Sequence, residues 1–256
     1  MCPPPPDGLA PSRAPSPLQA EFGWLYSLAK EATVSQLAEE RTAEKLEKLI
    51  ARLERVTERE IGKVHEKIAA MGEKGVPLMP ACRKGCYYCC SHMVTATGPE
   101  LIRIADFVRT NWTAAQISEL RSRIEEHKLA TASWRAGVSE YPARHSCPLL
   151  DRQEGACTVW QDRPIVCRGW NSVNVEDCIE KHENPESGVR ERALGPQVAI
   201  GDFVRQGLEE GLADHKTNGE ICELAYGLGI ALDNPDAGDR FLAGEDLFAE
   251  ARKGLP

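Results

Sequence analysis

The chain has 256 residues, 42% of them hydrophobic and 27% charged, a balance that excludes a disordered or fibrous protein and leaves room for a sizeable core. Its formal net charge of -8 gives no electrostatic reason to expect nucleic acid or an anionic membrane as partner. No run approaches the roughly 18 apolar residues of a membrane span, and no basic segment leads an apolar one at the N-terminus, so the expectation is a cytoplasmic protein with neither membrane nor nucleic acid among its partners.

Residues 1–17 carry Pro3, Pro4, Pro5, Pro6, Pro11, Pro15 and Pro17, which lack backbone donors and favour extended chain, so a disordered tail is expected there. Residues 18–72 are rich in Glu, Lys, Ala and Leu, the composition of a long helix or helical hairpin. Leu46, Leu49, Leu53 and Val56 follow a 3-4-3 spacing, repeated after a shift of five by Ile61, Val64, Ile68 and Met71. No heptad is sustained, so packing on the rest of the protein is preferred to a coiled coil. Gly72, Gly75, Pro77 and Pro80 end the pattern.

Gly98 and Pro99 then open a helix with Leu101, Ile104, Ala105 and Val108 on one face. A second begins at once, because Thr113 and Gln116 have the spacing of a capping box ahead of Ile117, Leu120 and Ile124. The short link at Asn111 predicts that the two fold back on each other as a helical hairpin. Periodicity disappears over 141–185, where ligation is expected to replace a core. Helical spacing returns in residues 194–256, with Ile200, Phe203, Val204 and Leu208 on one face and Ile221, Leu224, Ala225 and Leu228 on another. Strand patterns are scarce. The fold class is mainly α, a helical protein with an irregular cysteine-rich metal-binding centre in residues 81–185.

Eight of the ten cysteines form that centre: Cys82, Cys86, Cys89 and Cys90 in one cluster, and Cys147, Cys157, Cys167 and Cys178 in a spaced group. Cys2 and Cys222 stand apart. Thiolate is a soft ligand, and spacings such as Cys86 to Cys89 let a turn aim two sulfurs at one ion. Disulfides need an oxidising compartment, which the N-terminal pattern argues against, and a chain of this length is not expected to need such staples, so they are not the expectation here. Plain core cysteines would not bunch in this way. The cofactor is therefore an iron-sulfur cluster or zinc. Side chains of adjacent residues normally diverge, so Cys89 and Cys90 admit two frames. Either Cys82, Cys86 and Cys89 hold three corners of a cluster with Cys90 turned elsewhere, or the eight divide into two four-sulfur zinc sites. A shared centre is the working expectation. His92 and His145 could replace a thiol as ligand. Arg163 and Arg168 could offset cluster charge, though hydrogen bonding to loop carbonyls is preferred for them. Asp162 before Pro164 is read as a turn or helix start.

The run Cys82-Arg83-Lys84-Gly85-Cys86-Tyr87-Tyr88-Cys89-Cys90, then Cys147-Pro148-Leu149-Leu150, then the Arg163-Pro164 step before Cys167-Arg168, resembles the YkgJ-type cysteine-cluster family, regarded as zinc- or iron-chelating. The resemblance covers residues 81–178, with Trp160 where a tyrosine is expected. It implies metal binding by the eight cysteines and leaves the helical flanks unassigned. The spacing of Cys82, Cys86 and Cys89 also resembles the cluster loop of radical SAM enzymes, but the barrel of alternating strands and helices that such enzymes need is missing. A flagellin lysine N-methylase family carries a similar module. Redox or protein-modification chemistry at the metal is thus one functional reading, an iron-sulfur-dependent lysine N-methylase-like enzyme its narrower form, and a structural zinc module presenting helices to a protein partner the non-enzymatic one.

Overall fold

The computed structural model describes residues 16–38, 40–71, 79–83, 85–142 and 145–255. Cys2, nearly all of the proline-rich segment, and the stop signals Gly72, Gly75 and Pro77 lie outside them. Among the described residues the chain is mainly α, with eleven helices and four two-residue strands. The helices are α1 (Pro17–Phe22), α2 (Trp24–Gln36), α3 (Ala43–Met71), α4 (Gly98–Asn111), α5 (Ala114–Arg135), α6 (Ile165–Gly169), α7 (Val175–Glu183), α8 (Gly195–Asp214), α9 (Leu224–Asp233), α10 (Ala237–Leu242) and α11 (Ala249–Arg252). The strands form two antiparallel pairs: β1 (Thr95–Ala96) with β4 (Cys222–Glu223), and β2 (Leu150–Asp151) with β3 (Ala156–Cys157). Strands this short carry no alternation to read.

Pro17, expected in the tail, is already the first residue of α1, and Ser16 Oγ accepts from Gln19 N at 3.2 Å. The N-terminal helical stretch breaks at Gly23 and again between Leu37 and Thr42, giving α1, α2 and one unbroken α3. The shift of five in the apolar pattern is absorbed because Thr57 and Glu60 bury in the gap between Val56 and Ile61. Packing runs out before the pattern does, and Met71 is 70% exposed.

Helix α8 is central. Ile200, Val204, Leu208 and Leu212 are fully buried, and its glycines let neighbours approach closely. A Cβ on Gly207 would lie 2.2 Å from the Tyr26 carbonyl of α2, and one on Gly211 would lie 2.6 Å from Thr33 Cβ. On another side Gly201 meets Gly169 of α6, which seats the cysteine-bearing segment against the helical layer.

Both predicted helix starts hold. Thr97 and Glu100 form a capping box on α4, and Thr113 and Gln116 one on α5. The predicted pairing of these helices does not hold: α4 and α5 each pack on α9, which enters between them. The cause is α9's small residues. Gly227 abuts Leu101 of α4, where a Cβ would fall 2.3 Å from Cδ1, and Gly229 abuts Ile124 of α5. Irregular structure over 141–185 is also relieved by α6, α7 and the β2–β3 pair, anchored by buried Leu149, Leu150, Val159 and Ile165.

A buried ionic network joins α3 to this segment. Glu54, 4% exposed, stands 3.4 Å from Arg103 Nε and 3.3 Å from Arg168 Nη2. Arg103 also holds Asp162 at 2.6 Å, and Arg168 pairs with Glu58. Burial pushes the Glu54 carboxyl up to about 7, against the pull of the two arginines. The native state therefore keeps a proton that the unfolded chain gives up near the ordinary value of 4.5, so stability falls as pH rises from about 4.5 to 7. Glu54→Gln should gain on the wild type by on the order of 1–2 kcal/mol between pH 5 and pH 7.5. Urea unfolding of both proteins at the two pH values checks this, and parallel pH dependence would refute it.

Candidate metal centre

Four stretches of chain carry the eight thiols, six of which border one cavity. In the first, Gly85 at φ +86° turns the chain so that Cys86 N donates to Arg83 O at 2.9 Å. A 3-10 turn over Tyr88–Ser91 carries Cys89 and Cys90. The second arrives by a backbone bond, Cys147 N to Cys90 O at 2.7 Å. The third is the β2–β3 hairpin with α6. It holds Cys157 and Cys167, and its Gly155, at φ +61°, rests against Gly85. Glu100 of α4 accepts from Ile165 N at 2.7 Å and fixes the start of α6. The fourth is α7 with Cys178, where His182 sets its ring edge-on to Tyr87 and Tyr88.

All eight thiols are free, Cys82 exposed and the others partly buried. Two sets are distinguishable by electrostatic reach. Cys82, Cys86 and Cys178 act on one another, and Ser172 links two of them, its N–H donating to Cys82 Sγ at 3.3 Å and its hydroxyl donating at 2.9 Å to the Asn174 carbonyl that also accepts from Cys178 Sγ at 3.7 Å. Cys147, Cys157 and Cys167 form the other set. Cys89 reaches members of both. Its own thiol is raised first by a hydrogen bond with Cys90 and then by burial. The 3-10 turn thus leaves the thiols of the adjacent pair within reach of each other. Burial raises the other six thiols as well. Arg163 and Arg168 oppose the effect at Cys157, and Arg163 also at Cys167.

Among the described residues no three His, Cys, Asp or Glu side chains already converge as an ion's ligands; side-chain rotation would have to close each set. The donors themselves suit zinc or an iron-sulfur cluster, both of which take four thiolates. Cys222 lies elsewhere, fully buried in β4, its thiol pushed up to about 12 mainly by burial. Cys2 lies outside the described residues.

A cavity of about 760 Å³ borders the thiols. Cys86, Cys89, Cys90, Cys147, Cys157 and Cys167 face it, while Cys82 and Cys178 do not. Its remaining wall is mostly apolar, with Trp160, Val166, Trp170 and Val198 prominent. The two tryptophans are 56% and 44% exposed at its edge, and Arg163 stacks over Trp160 at 3.6 Å. The preferred carbonyl role of the arginines is observed: Arg163 donates to Trp160 O, and Arg168 to Arg163 O and Gln161 O. Their ion pairs to α3 were not foreseen, because Glu54 and Glu58 read only as helix composition. Asp162 sits in a 3-10 turn. Of the two candidate histidines, His92 pairs with Glu191 at 2.9 Å, and His145 lies beside His127, 4.8 Å between ring centroids.

Residues 81–186 match the family model CxxCxxCC, described as a putative zinc- or iron-chelating domain. No curated protein and no solved structure matches the chain. Metal chelation by a cysteine-rich helical segment is what this likeness supports. No helix among the described residues is long and apolar enough to cross a membrane.

Proposed function

We propose that the chain binds metal through two four-sulfur sets that meet at Cys89 and Cys90, and that one set is structural while the other serves chemistry. Cys82, Cys86 and Cys178 with one thiol of the pair make the structural set. Cys147, Cys157 and Cys167 with the other make the working set. The observation that carries this reading is the cavity: every thiol of the second set borders it, whereas of the first set Cys86 borders it and Cys82 and Cys178 do not. A purely structural module needs no such space, and about 760 Å³ lies within the roughly 300–1,000 Å³ of pockets that bury small organic ligands. When bound, an iron-sulfur cluster supplies electron transfer, and thiolate-held zinc supplies a clamp or a Lewis acid. The chain's own part is to hold the thiols, to offset their charge with Arg163 and Arg168, and to keep water from the apolar wall.

Anaerobic purification with iron, sulfide and zinc analysis tests the reading. Brown protein with iron and sulfide assigns a cluster, and colourless protein with stoichiometric zinc assigns zinc. Cys178→Ser and Cys167→Ser should each remove one equivalent, the double variant both, and Cys222→Ser none. A single variant that empties the protein would establish one shared centre instead, and a metal-free wild type would end the proposal.

A further inference from the structure

The chain enters the described structure at Ser16, which caps α1. Leu18 rests against Gly195 at the start of α8, where an added Cβ would lie 3.7 Å from its Cδ1. Leu194, the residue before, donates its N–H to Asn171 Oδ1 at 2.8 Å, and Asn171 follows Trp170. Two short contacts thus separate the entry point from one of the two tryptophans at the edge of the thiol-bordered cavity. Val198 and Asp202, roughly one and two turns farther along α8, line that cavity too.

This edge gathers large apolar side chains in the open. Trp160 is 56% exposed, Trp170 44% and Met79 43%, and the bond from Ala81 N to Ser172 O at 2.7 Å brings the stretch with Met79 beside the stretch with Trp170. Exposed apolar groups collected at one opening mark a binding surface. Exposed tryptophans suit polyproline chain in particular, because its rings pack on aromatic-lined grooves and its backbone has little conformational freedom left to lose. Residues 1–15, outside the described structure, supply that chemistry: Pro3, Pro4, Pro5 and Pro6 in a row, with Pro11 and Pro15 nearer the entry point. At about 3.1 Å per residue in polyproline geometry, the ten steps from Ser16 to Pro6 reach roughly 31 Å, against roughly 11 Å for two turns of α8. Charges match in the same order along this path. Arg13 lies near the entry point and Asp202 of α8 is half exposed at the cavity. Asp7 adjoins the proline run, and Arg163, stacked on Trp160, keeps a buried Nε with no hydrogen-bond partner.

We propose that residues 1–15 dock in the tryptophan-rimmed cavity of their own chain, with the Pro3–Pro6 run against Trp160 and Trp170, and so cover the thiols that border it. The docking stands on the rim and on the place where the chain enters, and not on how the thiols divide or which metal they hold. A connection this short gives the run a roughly millimolar effective concentration, so a weak contact between proline and tryptophan suffices. A small ligand entering the cavity has to displace the segment.

Hydroxyl-radical footprinting of the full-length, metal-loaded protein reads the docking at each tryptophan. Pro3→Ser, Pro4→Ser, Pro5→Ser and Pro6→Ser together should raise the oxidation rates of Trp160 and Trp170 at least threefold. The rate at Trp24, 46% exposed and not at the cavity, and the metal content should both stay unchanged. A synthetic peptide of residues 1–15 at about 1 mM should restore protection to this variant, and adding Trp160→Ala should weaken its capture at least fivefold. Equal rates at Trp160 and Trp170 in wild type and variant overturn the proposal. So does a change at Trp24 in their place, which puts the segment on another surface, and so does wild-type protection that disappears on dilution, which assigns the rim to a second copy of the chain.

Discussion

Stripping the thiol-bound metal with a strong chelator should open the segment between residues 141 and 163 to protease and abolish its cooperative unfolding, while most helix content survives. Thiolate ligation of a structural ion supplies on the order of 10 kcal/mol or more, and little in this stretch could replace it. Pro148, Leu149, Leu150 and Val159 are its only buried apolar anchors among the described residues between 141 and 163. Farther along, α6 should hold longer, because Ile165 is fully buried and Gly169 is seated against Gly201 of α8. The expected order of cleavage is therefore the β2–β3 hairpin first and α6 later. Limited proteolysis with mass mapping, run beside far-ultraviolet circular dichroism, reads both parts. Unchanged proteolysis and thermal unfolding in the metal-free protein would show that packing alone holds the centre.

Gly207→Ala should lower the thermal midpoint by roughly 4–8 °C, although alanine is the better helix former by about 1 kcal/mol. Added at this position, a Cβ meets the Tyr26 carbonyl at 2.2 Å and Ala29 Cβ at 2.9 Å. These are a backbone atom and a buried side chain, so α2 and α8 must separate. Forced separation of a packed pair costs about 3 kcal/mol, at the upper end for overpacking. Gly62→Ala is the matched control, since nothing lies within 4 Å of a Cβ there. It should stabilise by up to about 1 kcal/mol. Two midpoints that rise together would show that the close approach of α2 and α8 contributes nothing.

The sequence by itself determined what depends on neighbours within a few residues. The capping boxes at Thr97 and Thr113 lie three residues from their partners, and the faces of α3, α4 and α8 follow the 3.6-residue period. The thiol clusters are legible for the same reason: soft donors bunched within a turn have little other chemistry to serve. Tertiary structure alone decided which distant pieces meet. The insertion of α9 between α4 and α5 depends on Gly227 and Gly229, which inside an apolar run look only like weak helix formers until Leu101 and Ile124 stand against them. Glu54 and Glu58 are indistinguishable from surface helix residues until Arg103 and Arg168 arrive from other elements. His127 and Glu223, buried and paired at 3.0 Å, likewise carry no local signal, since each is ordinary in its own helix or strand. The grouping of the thiols around Cys89, and the cavity beside them, arise only when four stretches of chain close on one another. Local periodicity and donor chemistry are encoded along the chain, whereas burial, charge pairing and cavity shape are properties of three-dimensional neighbours.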